Sequence, residues 1–199
     1  FSSKNIWSEP KPIQKPMPPV MNAGGSKAGQ IFAATQADMN FVILKQRDID
    51  GGKAQISHLK NMAKEAGRDV QSWIHVYVVC RDTEKEAQDY LNYYVVEKGD
   101  YTAVNNLLDI FEMQSETLPT DVLEEFRFHF IAGHGGYPLV GTAEQIVDEI
   151  NKLIDIGVDG MLISWVDYKT ECKQWIEKVL PLMEQAGQRE RFIPKQTDF

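Results

Sequence analysis

Short apolar runs alternate with longer stretches of helical spacing down most of the chain. The first, Val20–Ala23, has the length of a strand, and Ser26–Ala37 follows as a helix with Ile31, Phe32, Ala34 and Ala37 available for one buried face. A second strand, Met39–Leu44, begins among Asp38 and Asn40. Beyond a loop around Asp48–Gly52, apolar positions Ile56, Leu59, Met62, Ala63 and Ala66 repeat at helical spacing, and Gly67 stands where a C-cap belongs. Trp73–Cys80 is then β-branched on both faces through Ile74, Val76, Val78 and Val79, the pattern of a buried parallel strand.

Thr83 and Glu86 have the spacing of a capping box, which opens a helix running to about Val95. From Gly99 to Ile131 the strand–helix rhythm lapses into two helical patterns, read as an inserted helical excursion. A glycine-rich loop, Ala132–Pro138, leads to a second capping box at Thr142 and Gln145; the helix behind it carries Ile146, Val147, Ile150, Leu153 and Ile154 and stops at Gly157. A fourth strand, Gly160–Trp165, precedes a last helix of about Thr170–Gln185 that presents Cys172, Ile176, Val179, Leu180 and Met183. Residues 1–19 hold most of the prolines and are expected to be an extended connector; 20–187 form the domain and 188–199 a tail.

Strands that each lead into a helix imply a parallel sheet with crossover connections. Four such units are too few to close a barrel and leave two raw sheet edges. The fold expected is therefore α/β, the carboxyl-terminal half of a (β/α)8 TIM barrel of about four strands with a helical insertion. A complete small doubly wound sheet is the structural alternative. Phe1 replaces an initiator Met without any signal-peptide pattern, which adds the expectation that the chain is the inside of a longer protein.

With 199 residues, 43% of them hydrophobic, the chain is long enough for a sizeable core. The net charge of −8 argues against nucleic acid or an anionic membrane as partner, because either calls for clustered Lys and Arg. No stretch approaches the roughly 20 apolar residues of a membrane span. Cys80 and Cys172 are far apart and lack partners at ligand spacing, so they are expected as reduced thiols in a cytoplasmic protein with no metal site.

The junction Val20–Gly29 is the first place to look for chemistry. Gly24 and Gly25 let backbone approach an anion closely, and a helix start offers unpaired N–H groups and a favourable dipole. Ser26 can cap that helix and donate its hydroxyl, and Lys27 can add charge. The same residues also suit a plain helix start. Asn22 ends the first strand, where it can meet ligand or stabilise the turn. Trp165 and Tyr168 follow the fourth strand, at the barrel end where active sites lie, as pocket walls or as filling; Asp167 between them can cap the last helix. His134, in the glycine-rich loop, has the near-neutral pKa that proton transfer needs, and can equally be an exposed loop residue. His75 reads as a packed strand histidine, and His58 and His129 lie in helical stretches.

The order of these pieces carries a resemblance. A proline-rich lead ending Pro10-Lys11-Pro12-Ile13-Gln14-Lys15-Pro16 precedes Asn22-Ala23-Gly24-Gly25-Ser26-Lys27-Ala28-Gly29, then Phe32-Ala33-Ala34 and Ala37-Asp38. Downstream come Gly136-Tyr137-Pro138-Leu139-Val140-Gly141-Thr142-Ala143-Glu144-Gln145, Gly157-Val158-Asp159-Gly160, Val166-Asp167-Tyr168 and Val179-Leu180-Pro181-Leu182-Met183. Together these resemble the bacterial-luciferase-like flavin monooxygenases, in the branch of pyrimidine and dimethylsulfone monooxygenases. The resemblance spans nearly the whole chain and is weakest from 99 to 131.

The resemblance implies an eight-stranded barrel that binds FMN, reduced by a separate NAD(P)H-dependent flavin reductase, and uses O2 to oxygenate a small organic substrate. It also implies a homo-oligomer. Gly24, Gly25, Ser26 and Lys27 match the turn that holds the flavin phosphate. The residues that would cradle the flavin ring belong mostly to strands absent from this chain, so weak FMN binding by this chain alone is expected. Two other functions fit the same residues: a non-catalytic flavin-binding or assembly protein, and another phosphate-binding barrel enzyme. A Schiff-base aldolase is disfavoured, since no lysine ends a strand in a suitable position.

Overall fold

The computed structural model describes residues 2, 4–7, 9–44, 48–111 and 119–193. It is built from β1 (Met21–Asn22), α1 (Lys27–Gln36), β2 (Met39–Val42), α2 (Ile49–Glu65), β3 (Gln71–Cys80) and α3 (Glu84–Asn92), the last running on as a π-helical turn, Tyr93–Glu97. Then come α4 (Tyr101–Ile110), α5 (Thr120–Gly133), β4 (Tyr137–Gly141), α6 (Ala143–Asp155), β5 (Gly160–Ser164), α7 (Tyr168–Gln174), a second π-helical stretch (Trp175–Val179) and α8 (Leu180–Gln185). Residues 9–19 and 188–193 carry no helix or strand. Part of the helical excursion, 112–118, and of the tail, 194–199, lies outside the described residues.

Every strand pair in the sheet is parallel, as the strand–helix alternation requires. β3 is its axis. Trp73 and Ile74 are paired on one side with Phe41 and Val42 and on the other with Gly160 and Met161. Val76 and Tyr77 are paired with Tyr137 and Pro138 and, again on the other side, with Ile163 and Ser164. β2 and β4 therefore follow one another along one edge of β3, and β5 takes the opposite edge.

Both faces of β3 are covered. Ile74, Val76, Val78 and Cys80 face a core formed with Ile56 and Leu59 of α2, Ile146, Ile150 and Leu153 of α6, and Trp175, Val179 and Met183 at the carboxyl end. Tyr77 and Val79 point the other way, against Ala87, Leu91 and Val95 after β3 and Ala132 of α5. Each fully buried aliphatic side chain contributes about 1.5–3 kcal/mol over exposure. The continuous β-branched run of this strand is thus explained by burial on two sides.

The structure corrects the sequence reading in four places. Among the described residues the sheet has five strands: Tyr137–Gly141 is β4, whereas its Gly and Pro residues read as loop. Pro138 fits because β4 is paired along β3 alone, and a proline has no N–H to give on its free side. The predicted loop Asp48–Gly52 is mostly the first turn of α2, with Asp48 as cap accepting from Gly51 N–H at 2.8 Å. On α1 the buried stripe is Ala33, Ala34 and Ala37, while Ile31 and Phe32 are 46% and 48% exposed, since they lie off that stripe on the helical wheel. The last helix starts at Tyr168 and widens over Trp175–Val179. Pro181 lacks the N–H that the carbonyl four residues back would accept, and Leu180 N–H reaches Trp175 O instead.

Two side-chain ties brace β3, one to its helices and one to a neighbouring strand. Arg81, at the end of β3, donates to Cys80 O (2.7 Å) and to Glu171 Oε1 (2.9 Å), with its guanidinium carbon 3.9 Å above the Tyr90 ring. Glu171 is only 7% exposed, and its second oxygen accepts from Asp167 N–H at 2.9 Å. β3, α3 and α7 thereby share one charge pair. Across the opposite edge, His75 Nε2 lies 3.0 Å from Ser164 Oγ and joins β3 to β5. Burial, aided by the nearby His134, holds His75 below the usual histidine range against the opposing effect of a hydrogen bond to the His134 backbone.

Removing Arg81 strands a buried carboxylate. Arg81→Met is expected to cost about 3 kcal/mol in urea unfolding, and Arg81→Met with Glu171→Leu to recover most of it. For His75 the folded chain resists a proton that the unfolded chain takes up. Stability should therefore decline as pH falls below about 6.5, and His75→Gln should flatten that decline in unfolding midpoints measured from pH 7.5 to 5.

Candidate functional site

β1 ends at Asn22, whose Oδ1 accepts the Gly24 N–H at 2.8 Å and so bends the chain. Ser26 then caps α1 with extended backbone, its Oγ accepting the Gly29 N–H at 3.1 Å and its carbonyl accepting Gln30 N–H at 2.9 Å. Gln30 Nε2 returns to Gly25 O at 3.1 Å. Turn and helix pack backbone against backbone: a Cβ on Gly24 would come within 2.6 Å of Gly29 Cα, and one on Gly29 within 2.7 Å of Gly24 Cα. Gly25 differs. A Cβ there would meet nothing within 4 Å, so its surface faces open space at the mouth of the turn.

The electrostatics of this turn are unusual for so acidic a chain. α2 is capped by Asp48 with Asp50 in its first turn, α3 begins with Glu84 and Glu86, α4 is capped by Asp100, α5 carries Asp121 and α6 Glu144. Those carboxylates use up the positive end of each helix. α1 has a neutral cap, no acidic residue in its first turn and an exposed Lys27 at its first position. The earliest N–H groups of a helix have no intrahelical acceptor, and the Ser26 hydroxyl still has its hydrogen to donate. Open space at Gly25, free donors and a lone cation fit a phosphate monoester.

Beside the turn lies a cavity of about 280 Å³, at the carboxyl ends of β1 and β2. Ala23, Gly24, Gly25 and Gln30 form one wall, and Asn40, Val42, Leu44, Gln55 and Leu59 much of the rest. Phe126 of α5 also lines it, so the helical excursion contributes to the site. The sequence reading named neither Asn40 nor Phe126 as a site residue. Asn40 leaves a legible signal, a carboxamide within the apolar run Met39–Leu44; Phe126 leaves none, because only tertiary packing brings α5 there.

The remaining candidates lie elsewhere. Trp165 and Tyr168 follow β5, across β2 and β3 from the turn, with ring centroids 5.4 Å apart. Trp165 packs against the α6-side core and Trp175, and its buried indole N–H has no hydrogen-bond partner among the described residues. Asp167 caps α7, accepting from Lys169 and Thr170 N–H at 3.0 and 3.4 Å. His134 ends α5 in the left-handed region (φ 49°), exposed, with its ring edge-on to Phe130 at 5.6 Å. It precedes β4, so it stands at an amino end of a strand rather than at the carboxyl ends. His129 bonds the Tyr77 hydroxyl at 3.0 Å.

The chain is 29% identical to the FMNH2-dependent dimethylsulfone monooxygenase of Pseudomonas putida over 188 residues, covering 92% of this chain and 51% of that one. A pyrimidine monooxygenase of Acinetobacter baylyi is 26% identical over 82% of this chain and 45% of its own length. The chain thus spans about half the length of these relatives. A crystal structure of a long-chain alkane monooxygenase matches 90% of this chain and 44% of its own, with a TM-score of 0.67 at 21% identity. That likeness identifies the fold as about half of a (β/α)8 barrel. Because residues 1–160 match the luciferase-like monooxygenase family, this chain belongs to that family.

Proposed function

We propose that this chain is part of an FMN-dependent two-component monooxygenase. It would act on a small organic substrate with O2, receive reduced flavin from a separate NAD(P)H-dependent reductase and work as a cytoplasmic homo-oligomer. The observation that carries the reading is the start of α1: a carboxylate-free helix start with a serine cap and Lys27, beside an open Gly25, in a chain of this family. The relative from Pseudomonas putida, named as FMNH2-dependent, supports the choice of cofactor. Exposed Ile31 and Phe32 on α1 support self-association.

Bound there, FMN would supply the redox chemistry with oxygen. The chain's own residues would do the holding. Gly24 and Gly29 set the distance between turn and helix, and Gly25 leaves room for the phosphate. Ser26 and the first N–H groups of α1 donate to it, and Lys27 adds its charge. Asn22 fixes the turn through Gly24, at the point where strand one would meet ligand. Trp165 and Tyr168 would wall the pocket from the other edge of the sheet, whereas His134, before the amino end of β4, stands at the opposite end of the strands and is not placed to carry a proton here.

The two kinds of glycine separate holding from folding. Gly25→Ala is expected to leave thermal stability within about 0.5 kcal/mol of the parent, as for a surface change, yet to weaken FMN binding about tenfold. Gly29→Ala forces backbone apart and should cost about 1–3 kcal/mol. Fluorescence titration with FMN and with riboflavin, which lacks the phosphate, reads the seat directly. FMN should bind at least tenfold tighter than riboflavin, and Gly25→Ala should remove that difference; equal binding of the two by the parent would sink the phosphate assignment. Micromolar FMN affinity for this chain alone would overturn the expectation that other strands wall the ring.

A further inference from the structure

The cavity beside the α1 start has a chemistry that phosphate binding leaves unused. Its lining holds no Lys, Arg, Asp or Glu, and Val42, Leu44, Leu59 and Phe126 make it mostly apolar. A charged ligand group would lose its hydration there without a partner, so the occupant is neutral. At about 280 Å³ the space falls just under the roughly 300–1,000 Å³ typical of sites for drug-sized molecules, which restricts it to a compact one.

Three carboxamides reach this lining, and two are committed. Gln30 donates to Gly25 O at 3.1 Å and Gln55 to Ile43 O at 3.0 Å. Asn40 is the third. It is 5% exposed, and among the described residues no hydrogen bond engages its side chain. Its register partner on β1, Asn22, is by contrast held by the Gly24 N–H. The Asn40 amide is not sealed in the core but opens into the cavity, the one polar group of an otherwise apolar or committed lining that is placed to hydrogen-bond an occupant.

The geometry points to a compartment for a small neutral organic molecule with an amide, lactam or other carbonyl group, recognised by the Asn40 carboxamide and covered by Phe126. A carboxamide presents a donor and an acceptor side by side, which matches the N–H and C=O edge of a lactam in two parallel hydrogen bonds. The inference rests on the reading of the α1 start as the flavin-phosphate seat, since the compartment adjoining that seat then receives the second reactant.

The test uses δ-valerolactam as the neutral probe and cyclohexanecarboxylate as an anionic probe of similar size. Binding is measured by ligand-detected NMR on the intact chain, beside thermal unfolding. The lactam should bind saturably and the carboxylate at least tenfold more weakly. Asn40→Leu should weaken lactam binding at least tenfold while Tm stays at or above that of the parent, and Phe126→Ala should also weaken it with Asn40 intact. Absence of lactam binding, equal binding of the carboxylate, or unchanged lactam binding by Asn40→Leu would each overturn the proposal. A fall in Tm with Asn40→Leu would do the same, by showing that the carboxamide serves the fold. FMN titration reads the neighbouring seat separately: its failure with lactam binding intact defeats only the phosphate reading, and the reverse result defeats only the compartment.

Discussion

β3 satisfies hydrogen bonds along both edges and buries both faces from Val76 to Cys80, and most of the molecule is arranged around that requirement. A parallel strand in this position cannot alternate apolar and polar residues, because neither face meets water. Its hydrogen bonds with β2, β4 and β5 set the level of each strand end, and the cores on its two faces set the helices. Arg81 terminates the strand with a charge that is tied at once to Glu171 and stacked on Tyr90. The carboxyl ends of β1 and β2, where ligand chemistry is concentrated in barrel folds, inherit their position from this frame.

Charge decides which helix start is left for a ligand. The chain is acidic overall, and its carboxylates occupy the positive ends of α2 through α6. α1 alone among the described helices of this length has neither an acidic cap nor an acidic residue in its first turn. The Gly24–Gly29 contact draws turn and helix to backbone distance, which concentrates the free N–H groups beside Gly25. Close packing and electrostatics thus converge on one turn, and the apolar cavity with its uncommitted Asn40 opens next to it.

Local chemistry was legible wherever it acts over three or four residues. Both capping boxes, Thr83 with Glu86 and Thr142 with Gln145, form as their spacing indicates, and Gly67 ends α2 at φ 72°. The Ser26 cap and the strand–turn–helix junction were equally readable, and the residue order around them carried the family. Features that depend on partners were not. The strand Tyr137–Gly141 hides behind Gly and Pro because its partner Val76–Cys80 lies about sixty residues away in sequence. Ile31 and Phe32 appeared as natural core residues, yet three alanines form the contact face, because small side chains let α1 sit close to its neighbours.

The sequence by itself determined the parallel α/β alternation, the helix caps and the glycine–serine turn, since each follows from short-range hydrogen bonding and the period of apolar residues. Tertiary structure decided which cavity that turn faces, and brought Asn40 and Phe126, from β2 and α5, to its walls. It also placed His134 away from the carboxyl ends of the strands and set Trp165 against the helix-side core. Those outcomes depend on how distant segments pack, and packing is not encoded at the spacing of any single motif.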